Sequence, residues 1–357
     1  MSDTLFTITE NMPLEERLQG ARLFCSRMFE WVKGRGKVLI ILHDNPDPDC
    51  LASALALRYI FASQVGEVPT IAFSGMIARS ENLVMAKILE IPLVPFEIID
   101  LSDFGVICML DTQPGAGNNS LGADAVVDVV IDHHPLKEMT RRCRWVDVRD
   151  NYGITATILY EYLLAFDLEI SPELATAIFY AIKSDTQDLG REANNPDKEA
   201  YLKLFSITDK QLLCQIMNPR QPAEYFRTIR RAIDRARIYG RAVVADMQHV
   251  AFPELVAEMA DFLLKLEGVD AALAFGECSR EMFLSIRSVA DDLNAGEIMR
   301  RMLDGIGSGG GHANMAGGKI SGLPAEADAL ARLQALLKQR FLEELSLADA
   351  EPVLIGN

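Results

Sequence analysis

At 357 residues the chain is long enough for two domains, which excludes a single small module. Lys and Arg number 35 against 51 Asp and Glu, a formal charge of −16, so there is no general basic surface to hold a long nucleic acid by phosphate neutralisation, although a small anion can still enter a locally positive or metal-charged cleft. A composition 49% hydrophobic and 24% charged is that of an ordinary soluble globular protein and excludes disorder and collagen-like repeats.

The first predicted element is an amphipathic helix over 14–32, which leads through Gly34-Arg35-Gly36 into an apolar run at 37–42 that reads as a buried strand. Helical patterns at 51–63 and 80–89 alternate with further strand candidates at 68–73, 104–110 and 126–131. Such alternation implies right-handed crossovers and an α/β fold, with a mostly parallel, doubly wound sheet covered by helices on both faces. Ligands in sheets of this kind sit beyond the carboxyl ends of the strands. From about Tyr152 the pattern turns helical, at 155–166 and 172–183, and ends in the polar stretch 184–191.

Asn218-Pro-Arg-Gln-Pro222 is a breaker, and a helix over 223–239 follows, rich in arginine at 227, 230, 231, 235 and 237 and read as a linker with a solvated face. A smaller C-terminal α/β domain is expected beyond it, with strands at 242–247, 271–275 and 282–289 and helices at 253–266, 294–303 and 325–344. Between the last two helices lies Gly307-Ser-Gly-Gly-Gly-His-Ala-Asn-Met-Ala-Gly-Gly318, read as a loop whose glycine density permits close ligand approach. The domain reading is therefore a catalytic domain at 1–218, a linker helix at 219–240 and a substrate-binding domain at 241–357, with the active site in a cleft between the domains.

No apolar stretch is long enough to span a bilayer, and the start lacks a basic region followed by an apolar one, so a cytoplasmic protein without membrane partners is expected. The six cysteines, at 25, 50, 108, 143, 214 and 278, show no CxxC or zinc-type spacing and read as reduced thiols. Cys50 has no separate imidazole free to pair with it and is read as a packed thiol.

Histidines are the main clue to chemistry. Of five, His43, His133, His134 and His312 fall in polar clusters directly after apolar strands or within the glycine loop, whereas His249 stands apart. In His43-Asp-Asn-Pro-Asp-Pro-Asp49 an imidazole and the carboxylates of Asp47 and Asp49 leave the end of one strand within seven residues. Asp111 and Asp132-His133-His134 end other strands of the same inferred sheet, and Asp185 ends a helix, so all can converge on one crevice. Carboxylates with one or two imidazoles and no thiolate suit Mn²⁺ or Mg²⁺ better than structural zinc. So many carboxylates would repel one another unless more than two positive charges lay between them, which points to a metal pair and to phosphate ester hydrolysis.

These residues resemble the DHH phosphoesterase superfamily, and more narrowly its oligoribonuclease-like members with a DHH-associated C-terminal domain and a GGGH loop. His43-x-x-x-Asp47-x-Asp49 with Ser53 looks like the first motif, Asp111 the second, Asp132-His133-His134 the eponymous third and Asp185 the fourth. The resemblance implies that His43, Asp47 and Asp111 hold one metal and that Asp49, Asp111, His133 and Asp185 hold the other, with Asp111 as the bridge. It implies that His134 faces the scissile phosphate and that Asp132 orients neighbouring histidines as the second catalytic residue. Arg287 and Ser288, with Gly310, Gly311 and His312, would bind the substrate. Pro48 and the run Cys50-Leu51-Ala52 depart from the family pattern at the mouth of the pocket, and the loop 187–191 matches no single subfamily.

The activity implied is Mn²⁺-dependent hydrolysis, with Mg²⁺ as the alternative ion, of short oligoribonucleotides, linear dinucleotides or 3′-phosphoadenosine 5′-phosphate. Long duplex nucleic acid is not an expected partner, and family members are frequently homodimers. Two other readings are an inorganic pyrophosphatase or polyphosphatase, against which the GGGH loop argues, and a nucleotide-sensing regulator that binds without turnover.

Overall fold

The computed structural model describes residues 8–77, 79–122, 124–191 and 193–355, and every candidate site residue lies within them. The chain divides into a first unit running to Pro219 and a second from Arg220 onward. The first contains, in order, helix Leu14–Val32 (α1), strand Lys37–Ile41 (β1), helix Pro48–Gln64 (α2), strand Thr70–Phe73 (β2), helix Ser80–Ile88 (α3) and strands Leu93–Pro95 (β3), Phe104–Leu110 (β4), Val129–Asp132 (β5) and Trp145–Val148 (β6). Helices Thr155–Ala165 (α4), Pro172–Asp185 (α5), Asn195–Ile207 (α6) and Lys210–Met217 (α7) complete it.

The six strands form one parallel sheet in the order β3-β2-β1-β4-β5-β6. Alternate residues of each strand face opposite sides of such a sheet. Val38, Ile40, Val106, Cys108, Leu110, Val129 and Ile131 thus enter the large core shared with α1, α2, α4 and α5. Leu39, Ile41, Ile107, Met109 and Val130 face the other way and are covered by Phe96, Ile99, Leu101, Leu121 and Cys143. The two faces are covered unequally, because a loop joins β4 to β5 and a short 3₁₀ turn, Met139–Arg142, lies between β5 and β6, where the first half of the sheet uses full helices. Strand order reverses between β1 and β4, and that switch point opens a crevice at the strands' carboxyl ends.

The second unit contains helix Ala223–Arg235 (α8), strands Arg237–Tyr239 (β7) and Ala242–His249 (β8), helix Glu254–Leu263 (α9), strands Ala271–Cys278 (β9) and Glu281–Ser288 (β10) and helix Ala295–Leu303 (α10). Strands Ser308–Gly311 (β11) and Met315–Ile320 (β12), helix Ala327–Glu344 (α11) and strand Val353–Leu354 (β13) follow. Its seven-stranded sheet has the order β11-β12-β10-β9-β8-β7-β13.

Two expectations need correction here. The helix expected over 223–239 stops at Arg235, because Arg237–Tyr239 pair antiparallel with Ala242–Val244 as a strand. Ala232 of α8 is buried in the second unit's core beside Val243 and Ala245, so this helix packs with that unit; its arginines form a solvated face paired with Glu224, Asp234 and Asp246. The glycine-rich stretch is likewise no loop. Ser308–Gly311 and Met315–Ile320 form an antiparallel hairpin, turning at 312–314, on which α10 packs.

The hairpin's glycines serve two different ends. A Cβ on Gly309 would stand 2.8 Å from the Gly317 carbonyl and from Leu303 and Met299 of α10, and one on Gly318 would meet Leu303 at 2.4 Å. At those positions glycine lets the helix approach the sheet. A Cβ on Gly310 would meet nothing within 4 Å, so packing does not require glycine there.

Candidate active site

The switch point collects the polar residues that follow β1, β4 and β5. Asp111 sits directly beyond β4 with φ of 56°, a left-handed conformation that Asp tolerates better than bulky residues do. Asp111 is 2% exposed, and its carboxylate is central to the cluster. One oxygen, Oδ2, stands 3.5 Å from His43 Nε2, while Oδ1 stands 3.5 Å from His133 Nε2 and 3.7 Å from His134 Nδ1. The Thr155 hydroxyl donates to that same Oδ1 at 3.0 Å.

Several of these side chains are held by backbone groups of neighbouring elements. Asp47 caps α2 and accepts the Cys50 amide at 3.0 Å, leaving its other oxygen 3.5 Å from His43 Nε2. Asp49, on the first turn of α2, is wholly buried and accepts the amides of Thr155 and Ala156, both at 2.7 Å, at the start of α4, where unpaired amides and the helix dipole favour an anion. His133 Nε2 lies 4.0 Å from Asp49, and its Nδ1 pairs with the Tyr152 carbonyl at 3.2 Å. Asp132 closes β5 and accepts from His134 Nδ1 at 2.9 Å and from the amides of His133 and His134.

Charge is unbalanced in this crevice. Burial, then the charges of Asp111, Asp185 and Asp47, push the Asp49 carboxyl well above the ordinary carboxylate range, despite the pull of the Thr155 amide. Burial and then Asp47 and Asp111 do the same to Asp185, at the end of α5. Desolvation opposes ionisation of Asp47 as well, but facing His43 brings it down to about 2. Desolvation works against a charged His43, yet Cys50, Asp47 and Asp111 together hold its pKa well above the ordinary imidazole value. Hydrogen bonding to Asp132 raises His134 to about 8 against its desolvation. Carboxylates forced toward protonation by burial and by one another lack a counter-charge, and a donor set made chiefly of oxygen and imidazole around them fits hard or borderline divalent cations.

Among the described residues, two groups present one donor atom from each member, all within 4.8 Å of one another: Asp111 with His133 and His134, and His43 with Cys50 and Asp111. The sequence-predicted His43, Asp47, Asp49, Asp111, Asp132, His133, His134 and Asp185 are thus gathered around one crevice. Four contributors were not anticipated. Thr155 and the Ala156 amide come from a helix start more than a hundred residues from Asp49, for which a Thr opening an apolar helical run is the only sequence signal. Gln113 is buried, donates to Asp132 Oδ2 at 2.6 Å and accepts the Thr140 hydroxyl at 2.9 Å and the Lys137 amide at 2.8 Å, which fixes its orientation. Cys50 is wholly buried, with its thiol pushed up to about 12 by burial.

The predicted substrate-binding residues lie in the second unit. A cavity of about 320 Å³ is lined by Ser285 and Arg287 of β10, Gly311, His312, and an apolar wall from Pro253, Val256 and Phe283. Arg287 is buried; Nε donates to Asp261 at 2.6 Å and Nη1 to Ser285 at 2.8 Å. His312 is exposed at the hairpin turn, its amide bonded to the Met315 carbonyl at 2.8 Å. Ser288 does not line the cavity. Its hydroxyl donates to the Asp270 carbonyl at 3.1 Å and accepts the Ala290 amide at 3.1 Å, so it shapes the end of β10. Gly310 stands beside Gly311 on β11 but likewise does not line the cavity.

Residues 37–182 match the model of the DHH family, N-terminal domain, and residues 240–341 match the DHHA1 domain. The chain belongs to the DHH family. Over 324 residues it is 35% identical to the uncharacterized protein MJ1633 of Methanocaldococcus jannaschii, across 89% of this chain and 66% of that protein. It is 29% identical over 150 residues to a probable manganese-dependent inorganic pyrophosphatase of Staphylococcus saprophyticus, across 42% of this chain and 48% of that one. Identity to the cyclic-di-AMP phosphodiesterase GdpP of Geobacillus thermodenitrificans is 26% over 332 residues, 87% of this chain and 48% of that protein. The chain therefore spans about half the length of the last two.

Two solved structures share the fold of this DHH chain. An exopolyphosphatase-related protein from Bacteroides fragilis superposes with a TM-score of 0.71 at 16% identity, covering 92% of this chain and 98% of its own. RecJ of Thermus thermophilus in complex with Mn²⁺ gives 0.53 at 14% identity, covering 96% and 57%. Among these relatives, the pyrophosphatase and the phosphodiesterase are hydrolases, the former named as manganese-dependent, and the RecJ structure holds Mn²⁺.

Proposed function

We propose that this chain is a metal-dependent phosphodiesterase for short nucleotides: linear dinucleotides, oligoribonucleotides a few residues long, or 3′-phosphoadenosine 5′-phosphate. The observation that carries the reading is the Asp111 carboxylate, set between His43 and His133 with an oxygen 3.5 Å from each. In this reading His43, Asp47 and Asp111 hold one divalent cation, and Asp49, Asp111, His133 and Asp185 hold a second. Bound there, the cations supply charge that offsets the carboxylates and a water nucleophilic at neutral pH.

The protein's own groups do the rest. Asp132 orients His134 and, in the metal-free chain, raises its pKa to about 8, which favours an imidazolium able to donate a hydrogen bond or a proton to a phosphate oxygen as negative charge develops on it. Gln113 fixes Asp132 from behind. Amides at the start of α4 hold Asp49 without neutralising it.

Nucleotide is favoured over pyrophosphate by the second unit's cavity. Its size is at the lower end of small-molecule pockets and its apolar wall suits a nucleobase, whereas a doubly charged inorganic anion gains little from that wall. Arg287 is already paired with Asp261 at 2.6 Å, which further lowers its attraction for a free polyanion. The GdpP match also extends over 87% of this chain against 42% for the pyrophosphatase. The test is a substrate panel with Mn²⁺: pApA, pGpG, pAp, short RNA, cyclic dinucleotides and pyrophosphate. Turnover of linear dinucleotides or short RNA is expected. Preference for pyrophosphate would replace this reading with the pyrophosphatase one, and no turnover of any compound would leave a binding regulator.

A further inference from the structure

Cys50 occupies the first turn of α2, between Asp49 and the apolar face of that helix, where a thiol is ordinarily a packing element. Its surroundings are not ordinary. Its sulfur, one nitrogen of His43 and one oxygen of Asp111 all lie within 4.8 Å of one another, close enough for a single ion to touch all three. Its thiol donates to the Leu110 carbonyl at 3.8 Å, a weak hydrogen bond that a cation could displace. Cys25 and Cys108 are also buried, but neither belongs to a group of this kind among the described residues.

We infer that Cys50 is a specificity-determining residue of the His43 metal site, placing a sulfur donor at the edge of a site otherwise built of oxygen and imidazole. The inference rests on the two-cation reading and adds to it a rule for ion choice. Mn²⁺ and Mg²⁺ are satisfied by His43, Asp47 and Asp111 and leave the thiol protonated. A thiophilic ion such as Cd²⁺ or Zn²⁺ recruits the sulfur: a metal–sulfur bond forms, the S–H bond breaks, and the proton leaves to solvent with no change of oxidation state. Being enclosed, the sulfur is reached through the metal site, so this response belongs to ions that enter the crevice.

The test uses the full chain freed of metal by chelation and titrated with Cd²⁺, followed by the ultraviolet sulfur-to-cadmium charge-transfer band and by calorimetry, in wild type, Cys50→Ala and Cys50→Ser. Cys214→Ala controls for the exposed thiol. Wild type and Cys214→Ala are expected to show the band. Both Cys50 variants should lose it and bind Cd²⁺ about tenfold more weakly, while their Mn²⁺ affinity moves by less than about twofold. If the variants do not fold, the cadmium NMR shift of the wild-type complex reports a sulfur ligand directly. Saturation of wild type with Cd²⁺ without a sulfur signal, or a band that persists in Cys50→Ala, overturns the role of Cys50 and leaves the two-cation reading standing. Wild type that takes up neither Mn²⁺ nor Cd²⁺ overturns both.

Discussion

The crevice beyond β1, β4 and β5 and the glycine hairpin of the second unit work by opposite means. In the crevice, charged side chains are buried and held by backbone amides and helix starts, as Asp49 is by Thr155 and Ala156. In the hairpin, side chains are largely missing: α10 packs against Gly309 and Gly318, while Gly310 faces open space. The first region concentrates charge that needs a counter-ion. The second offers shape, an apolar wall and one tethered guanidinium. The difference teaches why the proposed function assigns chemistry to the first region and recognition to the second, and each assignment is open to separate attack.

The largest effect is expected from Asp111→Asn. Losing the carboxylate between the imidazoles should reduce hydrolysis on the order of a thousandfold or more and weaken Mn²⁺ binding, measured by steady-state kinetics and calorimetry, while the fold persists by circular dichroism. A variant with wild-type turnover would remove Asp111 from the centre of the site. Next, Gln113→Leu should lower kcat about 10–100-fold by freeing Asp132, with little change in KM. An effect confined to KM would place Gln113 in binding instead.

Arg287→Ala should act on the other side of the division, raising KM with Mn²⁺ affinity unchanged; equal loss of metal would dissolve the comparison. Within the hairpin, Gly309→Ala should cost about 1–3 kcal/mol of stability through overpacking against Leu303 and Met299. Gly310→Ala should stay within about 0.5 kcal/mol in thermal or denaturant unfolding, because a methyl group there meets nothing. Similar losses in both variants would mean that the hairpin's glycines are all structural.

The smallest effect concerns pH. In metal-free protein His134 should titrate near 8 by NMR, above the ordinary imidazole value. Because the folded pKa is the raised one, the pair with Asp132 stabilises the fold fully below about pH 6.5 and its contribution fades as pH rises through 8. Asp132→Asn should bring the titration back toward 6.5, and an unmoved His134 would show that this carboxylate is not what raises it.

The central strands were legible because each is an unbroken apolar run bounded by turns, and the acids and histidines that follow them were legible for the same reason. The edge strands were not. β3 contains Pro95, and β6 interrupts its apolar residues with Asp147; both are only partly buried, so neither carries a core pattern. Sequence also could not separate the hairpin's packing glycines from the open one, since α10 does the separating. Gln113, Thr155 and the Ala156 amide escaped notice because their roles depend on partners brought near by folding. Cys50 was read as a packed thiol, and its neighbours His43 and Asp111 give it a second character.

The most direct test of the central claim is anomalous scattering at the manganese edge from crystals of the full chain grown with Mn²⁺. The account predicts two peaks flanking the Asp111 carboxylate, about 3.5–4 Å apart, one against His43 and the other against His133. A single peak elsewhere, or none in the crevice at saturating Mn²⁺, would contradict it.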